Sequence, residues 1–292
     1  MTGFKRPLIA AAMTAALLLP ASTLAQDEAD AEAAKTWEHT ADLSYVLTAG
    51  NSESSTLGFS WKSVATWERS SLEIAAGGIR AQTTTTTRTA SGDDPNNPTV
   101  DEQSTKATTA ENYFFAARYD RTITKKLFWF AGTSWMRNEF AGIKDRFGVE
   151  GGVGNAWRDD DHMKFKTFYA LSYIDQTDVI VDPTRESGYV GIRLAYEYEH
   201  NMGENTTFNS GLVWNGNAED SPAWFANWLN SVTVNMSKKL ALKASLLFLY
   251  NNRPALESIP FTPTPPAIIP TEVNVPLDEL DTIFTTSLVI KF

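Results

Sequence analysis

What most restricts the fold of this chain is a two-residue alternation that recurs along almost all of it. In TWEHTADLSYVLTAG, Trp37, Ala41, Leu43, Tyr45 and Leu47 form one set, and Glu38, Thr40, Asp42 and Ser44 the other. The next segment sets Leu57, Phe59, Trp61, Ala65 and Trp67 against Ser60, Lys62 and Thr66. YFFAARYDR sets Tyr113, Phe115, Ala117 and Tyr119 against Asn112, Arg118 and Asp120, and GYVGIRLAYEYEH sets Val190, Ile192, Leu194, Tyr196 and Tyr198 against Arg193, Glu197 and Glu199. A side chain that changes face at every step belongs to a strand, not a helix. Further segments of the same kind bring the total to about twelve, an even number, as bacterial outer-membrane barrels require. In LFWFAGTSWMR both parities carry aromatics, so the facing of that strand stays open.

The N-terminus narrows the setting. Lys5 and Arg6 precede an apolar run from Leu8 to Leu19, then Pro20 and a small-residue site ending at Ala25, which predicts a signal peptide over 1–25. The run is shorter than the ~18 to 20 residues a membrane-crossing helix needs. Cleavage would remove Lys5 and Arg6 and make the formal charge, −10 for the whole chain, two units more negative. An acidic, Ala-rich stub follows over 26–35. No later segment is apolar enough for a transmembrane helix, so entry into a membrane requires a closed barrel over 36–292. A secreted soluble β-protein that binds a ligand is the alternative. The absence of cysteine leaves neither disulfides nor thiolate chemistry. An acidic balance without basic runs argues against nucleic acid.

A β-sandwich also alternates, and two regularities favour the barrel. Connections after even-numbered strands are short (ERSS, ITKK, DDDH, NMGE, MSKK), whereas every long one follows an odd-numbered strand. Tight periplasmic turns opposite longer extracellular loops give that asymmetry. Large aromatics also gather at strand ends: Trp37, Trp67, Tyr119, Trp157, Phe165, Tyr198, Phe208 and Phe292 at the short-turn end, and Tyr45, Tyr113, Tyr173, Trp214, Trp224 and Tyr250 at the other. Such rings favour membrane interfaces. The final segment, TIFTTSLVIKF, is expected to close the barrel by pairing with the first strand along its whole length, with Phe292 in the periplasmic girdle.

LSYVLTAGNSESSTLGFS, NEFAGIKDRFGVEGGVGNAW and LDTIFTTSLVIKF together resemble the salt-induced outer-membrane proteins of domain-of-unknown-function family 481. The resemblance spans nearly all of the chain beyond the signal. It implies an all-β, up-and-down transmembrane barrel in the outer membrane of a Gram-negative bacterium, with no catalytic residues to carry over. The partners expected of such a barrel are outer-membrane lipids, lipopolysaccharide and, through the strand ending at Phe292, the barrel assembly machinery; oligomeric state stays open.

Projecting the polar face inward collects Asp42, Lys62, Glu73, Arg118, Glu150, Lys166, Arg193, Glu197 and Lys243. Charges of both signs can pair and plug a narrow lumen, or line a wet pore. Gly148, Gly152 and Gly154 share that face with Glu150 and are read as sites of strand curvature. No cofactor or metal is expected. The histidines, His39, His162 and His200, all map to the short-turn end and have no H-E-x-x-H spacing, and no G-x-S-x-G elbow is present. GDDPNN lacks the EF-hand register and reads as a solvated turn.

Two surface loops are expected, a Thr-rich one over 83–109 and a Pro-rich one over 253–280. Ile259, Phe261, Ile268 and Ile269 of the second are candidates for a constriction or a partner contact. The functional expectation is a non-enzymatic barrel, either structural and stress-related or a narrow passive channel for small polar solutes. The alternatives are an outer-membrane hydrolase of phospholipase type and the soluble ligand-binding protein.

Overall fold

The computed structural model describes residues 36–48, 53–91, 99–261 and 271–291. The expected signal peptide over 1–25, the acidic stub over 26–35 and Phe292 lie outside these residues. Fourteen strands form: β1 (Thr36–Thr48), β2 (Glu53–Thr66), β3 (Ser70–Ser91), β4 (Thr99–Thr122), β5 (Leu127–Asn138), β6 (Ile143–Asp159), β7 (Met163–Asp178), β8 (Gly188–Asn201), β9 (Thr206–Asn217), β10 (Trp224–Asn235), β11 (Leu240–Asn251), β12 (Leu256–Phe261), β13 (Thr271–Pro276) and β14 (Leu280–Lys291). Twelve of them close into an antiparallel barrel in the order β1-β14-β11-β10-β9-β8-β7-β6-β5-β4-β3-β2. Each strand pairs with its chain neighbour except where β14 bridges β11 to β1, as an up-and-down barrel requires.

The turns at one end cover 67–69, 123–126, 160–162, 202–205 and 236–239. Backbone and Asx-type bonds close them: Trp67 N–H donates to the Ser70 carbonyl, and the Asp160 carboxylate accepts from the His162 and Met163 amides. Arg158 Nε also donates to Asp160, at 2.5 Å, and this hydrogen bond, helped by the two amides, holds the carboxyl of Asp160 down at about 2.

Three expectations need correction. The Thr-rich stretch is not a loop: β3 and β4 run on as a paired hairpin, with Ser91 opposite Thr99. Beyond Thr84 that hairpin has no partner in β2, and before Asn112 none in β5, so it continues past its neighbours, and its register shifts by a bulge at Ala81/Gln82. The Pro-rich stretch is not purely irregular either, because β12 and β13 pair as a separate two-stranded ribbon. Pro260 and Pro276 are tolerated there because each strand of such a ribbon has a free edge. Of the four candidates in this loop, Ile268 and Ile269 lie outside the described residues, and nothing is assigned to the side chains of Ile259 and Phe261.

The third correction concerns closure. Among the described residues, β1 and β14 pair only over Thr40–Leu43 with Leu288–Lys291. In the same register Ser44 would face Ser287 and Tyr45 would face Thr286, but these pairs do not form, so the ladder stops short of the long-loop end. By contrast, β10 and β11 pair from Phe225 to Asn235.

Candidate functional site: the barrel interior

Register decides which face is inside. Arg118 on β4 reaches Glu197 on β8, Nη1 to Oε1 at 2.5 Å, and side chains on strands so far apart around the ring meet only across the interior. From that anchor, ladder parity places all nine candidates, Asp42, Lys62, Glu73, Arg118, Glu150, Lys166, Arg193, Glu197 and Lys243, on the inner face. The aromatics Trp37, Tyr45, Tyr113, Tyr119, Phe165, Tyr173, Tyr198, Phe208, Trp214, Trp224 and Tyr250 take the opposite parity, and Trp67, just past β2, continues it. Trp157 occupies a bulge in β6 and its indole N–H donates to the Thr167 hydroxyl, 2.8 Å, on the outer face.

Strand β5 is now oriented. Trp129, Ala131, Thr133 and Trp135 take the outer parity of Tyr119, Ala117 and Phe115, and Phe128, Phe130, Gly132 and Ser134 point inward. Phe128 and Phe130 meet Phe168 of β7 edge-on, with ring centroids 5.4 and 5.3 Å apart, in a buried cluster completed by Ala170. The inner-face glycines make this packing possible. A Cβ on Gly154 would overlap the Phe128 ring, and one on Gly152 would strike the Tyr169 carbonyl and Ala170. Gly154 thus clears space for the Phe128 ring, and Gly152 lets the backbone of β7 approach closely.

The charged residues form two layers of contact. Toward the short turns, Arg118 bonds both Glu197 and Asp120, lies 4.6 Å from the Phe168 centroid and stands opposite Glu73. Around it, Arg193 pairs with Glu150 at 2.7 Å, Lys62 with Glu73 at 2.8 Å and Lys243 with Asp42 at 2.7 Å. Lys166 stands opposite Glu197 in the ladder. Glu197 keeps 46% of its side-chain exposure and Lys62 52%, whereas Arg118, Asp120, Arg193 and Glu150 are largely buried, so the layer is open at some members and closed at others.

Toward the long loops a second crossing appears that the sequence reading omitted. The Arg146 guanidinium of β6 lies 4.2 Å from the Phe225 ring centroid of β10. Its Nε donates to Gln176 Oε1 at 2.6 Å, and Gln176 in turn donates to Asp178. Arg185 ties Asp178 to the Arg253 and Pro254 carbonyls, and Arg253 bonds Asp220 and Thr184, so three connections, 179–187, 218–223 and 252–255, are laced together over the mouth. Inward parity carried back from Glu150 through Gly148 would have found Arg146.

The histidines stand outside this chemistry. His39 is stacked between Trp37 and Trp61 on the outer wall, and His200 stacks on Tyr198. His162 sits in an exposed turn. Among the described residues no cluster of His, Asp or Glu has a metal-holding arrangement.

The family model described as "Protein of unknown function, DUF481" matches residues 41–261. The chain belongs to this family. No curated protein matches the sequence. Among solved structures, an outer membrane channel from Pseudomonas putida F1 is similar at 10% identity, covering 88% of this chain and 95% of the other, with a TM-score of 0.43. The NanC porin is similar at 10% identity, 86% and 97% coverage and a TM-score of 0.42. The KdgM porin in complex with disordered oligogalacturonate follows at 6%, 88% and 99%, and 0.40. Family membership thus supplies kinship without an activity, and function has to be argued from the barrel itself.

Proposed function

We propose that this protein is a non-enzymatic outer-membrane barrel whose interior is a narrow passage for small polar solutes, gated by side chains. Leu171, 65% exposed, and Phe284, 67% exposed, stand on the outer wall with Leu57, Phe59, Ile192 and Leu242. Such a wall is costly in water and favourable in lipid, and strands joined in a ring satisfy their backbone without a solvent. The observation that carries the passage reading is that both crossings, Arg118–Glu197 and Arg146–Phe225, are made by side chains alone, with Glu197 of the lower one still exposed. Arginine and glutamate side chains change rotamer within nanoseconds where they are exposed.

Conductance of the refolded protein in planar bilayers tests this. Small openings are expected from the wild type, and larger ones from the double variant Arg118→Ala/Arg146→Ala. Silence in both, with the protein shown folded, would remove the passage and leave a structural barrel.

The hydrolase reading has one feature behind it, since Ser63 Oγ lies 2.8 Å from His39 Nδ1. Ser63 is only 1% exposed, however, and a nucleophile needs access to its substrate. Phospholipid hydrolysis should stay at background in the wild type and in single alanine variants of Ser63, His39, His162 and His200. A wild-type rate that falls on replacing Ser63 or His39 would reinstate the enzyme.

A further inference from the structure

Above the lower ion-pair layer, a cavity of about 250 Å³ opens at the long-loop end of the barrel. Its wall includes Arg146, Gln176, Arg185, Tyr189, Phe225 and Asn251. Three features distinguish it from an ordinary solvent recess. Arg146 is 8% exposed, yet among the described residues no carboxylate stands within 4.0 Å of its guanidinium. Its one hydrogen bond, from Nε, goes to the neutral amide of Gln176, which leaves both Nη groups, four N–H donors, uncommitted. Beside it, Arg185 Nε is buried without any hydrogen-bond partner. Asp178 reaches this guanidinium only through Gln176 and is itself paired with Arg185, so the uncommitted Nη groups leave a place for an anion that arrives from outside.

The chemistry of that anion follows from the wall. Two free Nη groups in one plane fit a carboxylate through paired N–H···O bonds. Tyr189 offers a flat face for the apolar side of a small ring, and the Asn251 amide nitrogen offers donors for hydroxyl groups. The volume admits one sugar-sized molecule. Glu186 and Glu219 are also on the wall but are exposed loop residues, and Asp220 is held by Arg253. Their charge discourages anions that lack a second means of recognition, such as hydroxyls.

We infer that this mouth cavity binds a small hydroxylated carboxylate of monosaccharide size, with its carboxylate on Arg146. The inference deepens the passage reading by naming a solute class for the same lumen. The site is reached before the lower crossing, so binding does not require transit.

The test is equilibrium titration of the folded, detergent-solubilised barrel, read by calorimetry. The probes are D-glucuronate, D-glucose, which carries a neutral hydroxymethyl group where glucuronate has its carboxylate, and inorganic phosphate. Glucuronate should bind at least about tenfold more tightly than glucose and phosphate, as expected for a lost charge-assisted hydrogen bond. Arg146→Met, which keeps bulk and removes charge, should abolish that preference, and Arg146→Lys should restore part of it. If Arg146→Met does not fold, Tyr189→Ala provides a second arm and should weaken both sugars. Equal binding of glucuronate and glucose, an unchanged preference in Arg146→Met, or phosphate binding more tightly than glucuronate would each overturn the inference. Binding without conductance would defeat the passage alone, and conductance without binding would defeat the site alone.

Discussion

Replacing Phe130 with alanine probes whether the lower half of the lumen is a packed core or a wet channel lining. Phe130 is 2% exposed and is among the largest fully buried side chains in the barrel. Its ring meets Phe168 at 5.3 Å with an interplanar angle of 86°, and Phe128 at 6.4 Å. Truncating a phenylalanine in a close-packed site costs about 3 to 5 kcal/mol, transfer and cavity terms together. Edge-to-face pairs contribute about 0.5 to 1.5 kcal/mol each beyond burial. Collapse around the void is limited because Gly152, opposite Phe130, has no side chain to move into it. We therefore expect Phe130→Ala to lose about 4 kcal/mol. Urea unfolding in detergent micelles, followed by tryptophan fluorescence and by heat-modifiable gel migration, measures it. Phe284→Ala, on the outer wall, is the comparison. A loss below about 1 kcal/mol for Phe130→Ala would show that water already occupies the space beside the ring, and the packed-floor reasoning would fail.

Gly152→Ala should destabilise strongly, by about 2 kcal/mol or more, because its Cβ strikes backbone rather than a movable side chain; the same urea assay decides it. Gly154→Ala meets only the Phe128 ring and should cost less, so equal losses would refute the steric account. For the closing seam, Leu43→Cys/Leu288→Cys, a formed pair, should oxidise to a disulfide on mild treatment, whereas Tyr45→Cys/Thr286→Cys should not; equal yields would mean the strands zip fully. Asp160 has a depressed pKa in the fold, so its hold on the 160–162 turn is complete above the ordinary aspartate range and is lost as pH falls through about 2. A carboxyl titration by NMR with its midpoint near 4 would contradict that.

Much of the wall was legible in the sequence because its two faces differ in polarity. Val190, Ile192 and Leu194 against Arg193 and Glu197 could be assigned without coordinates. Strand β5 could not, because Phe128 and Phe130 inside and Trp129 and Trp135 outside are all aromatic, and parity then carries no polarity contrast. The same ambiguity hid the phenylalanine floor. Arg146 was lost among consecutive charges, Lys144, Asp145 and Arg146, where alternation lapses beside the bulges of β6 with its neighbours. The extent of the β1–β14 ladder is a property of two segments separated by nearly the whole chain. Neither strand's composition encodes where their pairing stops.

That incomplete ladder bears on the lipid as well as on the protein. Ser44, Tyr45, Thr286 and Ser287 lie on edges whose amides and carbonyls have no partner across the seam, and hydrocarbon offers them none. On the outer-membrane reading proposed above, headgroups and their water would descend to meet these groups on one flank of the barrel, while the fully laddered β10–β11 side would keep its usual depth. That proposal then predicts a thinner leaflet on one side than on the other, with lipids whose chain length suits the shallow side collecting there.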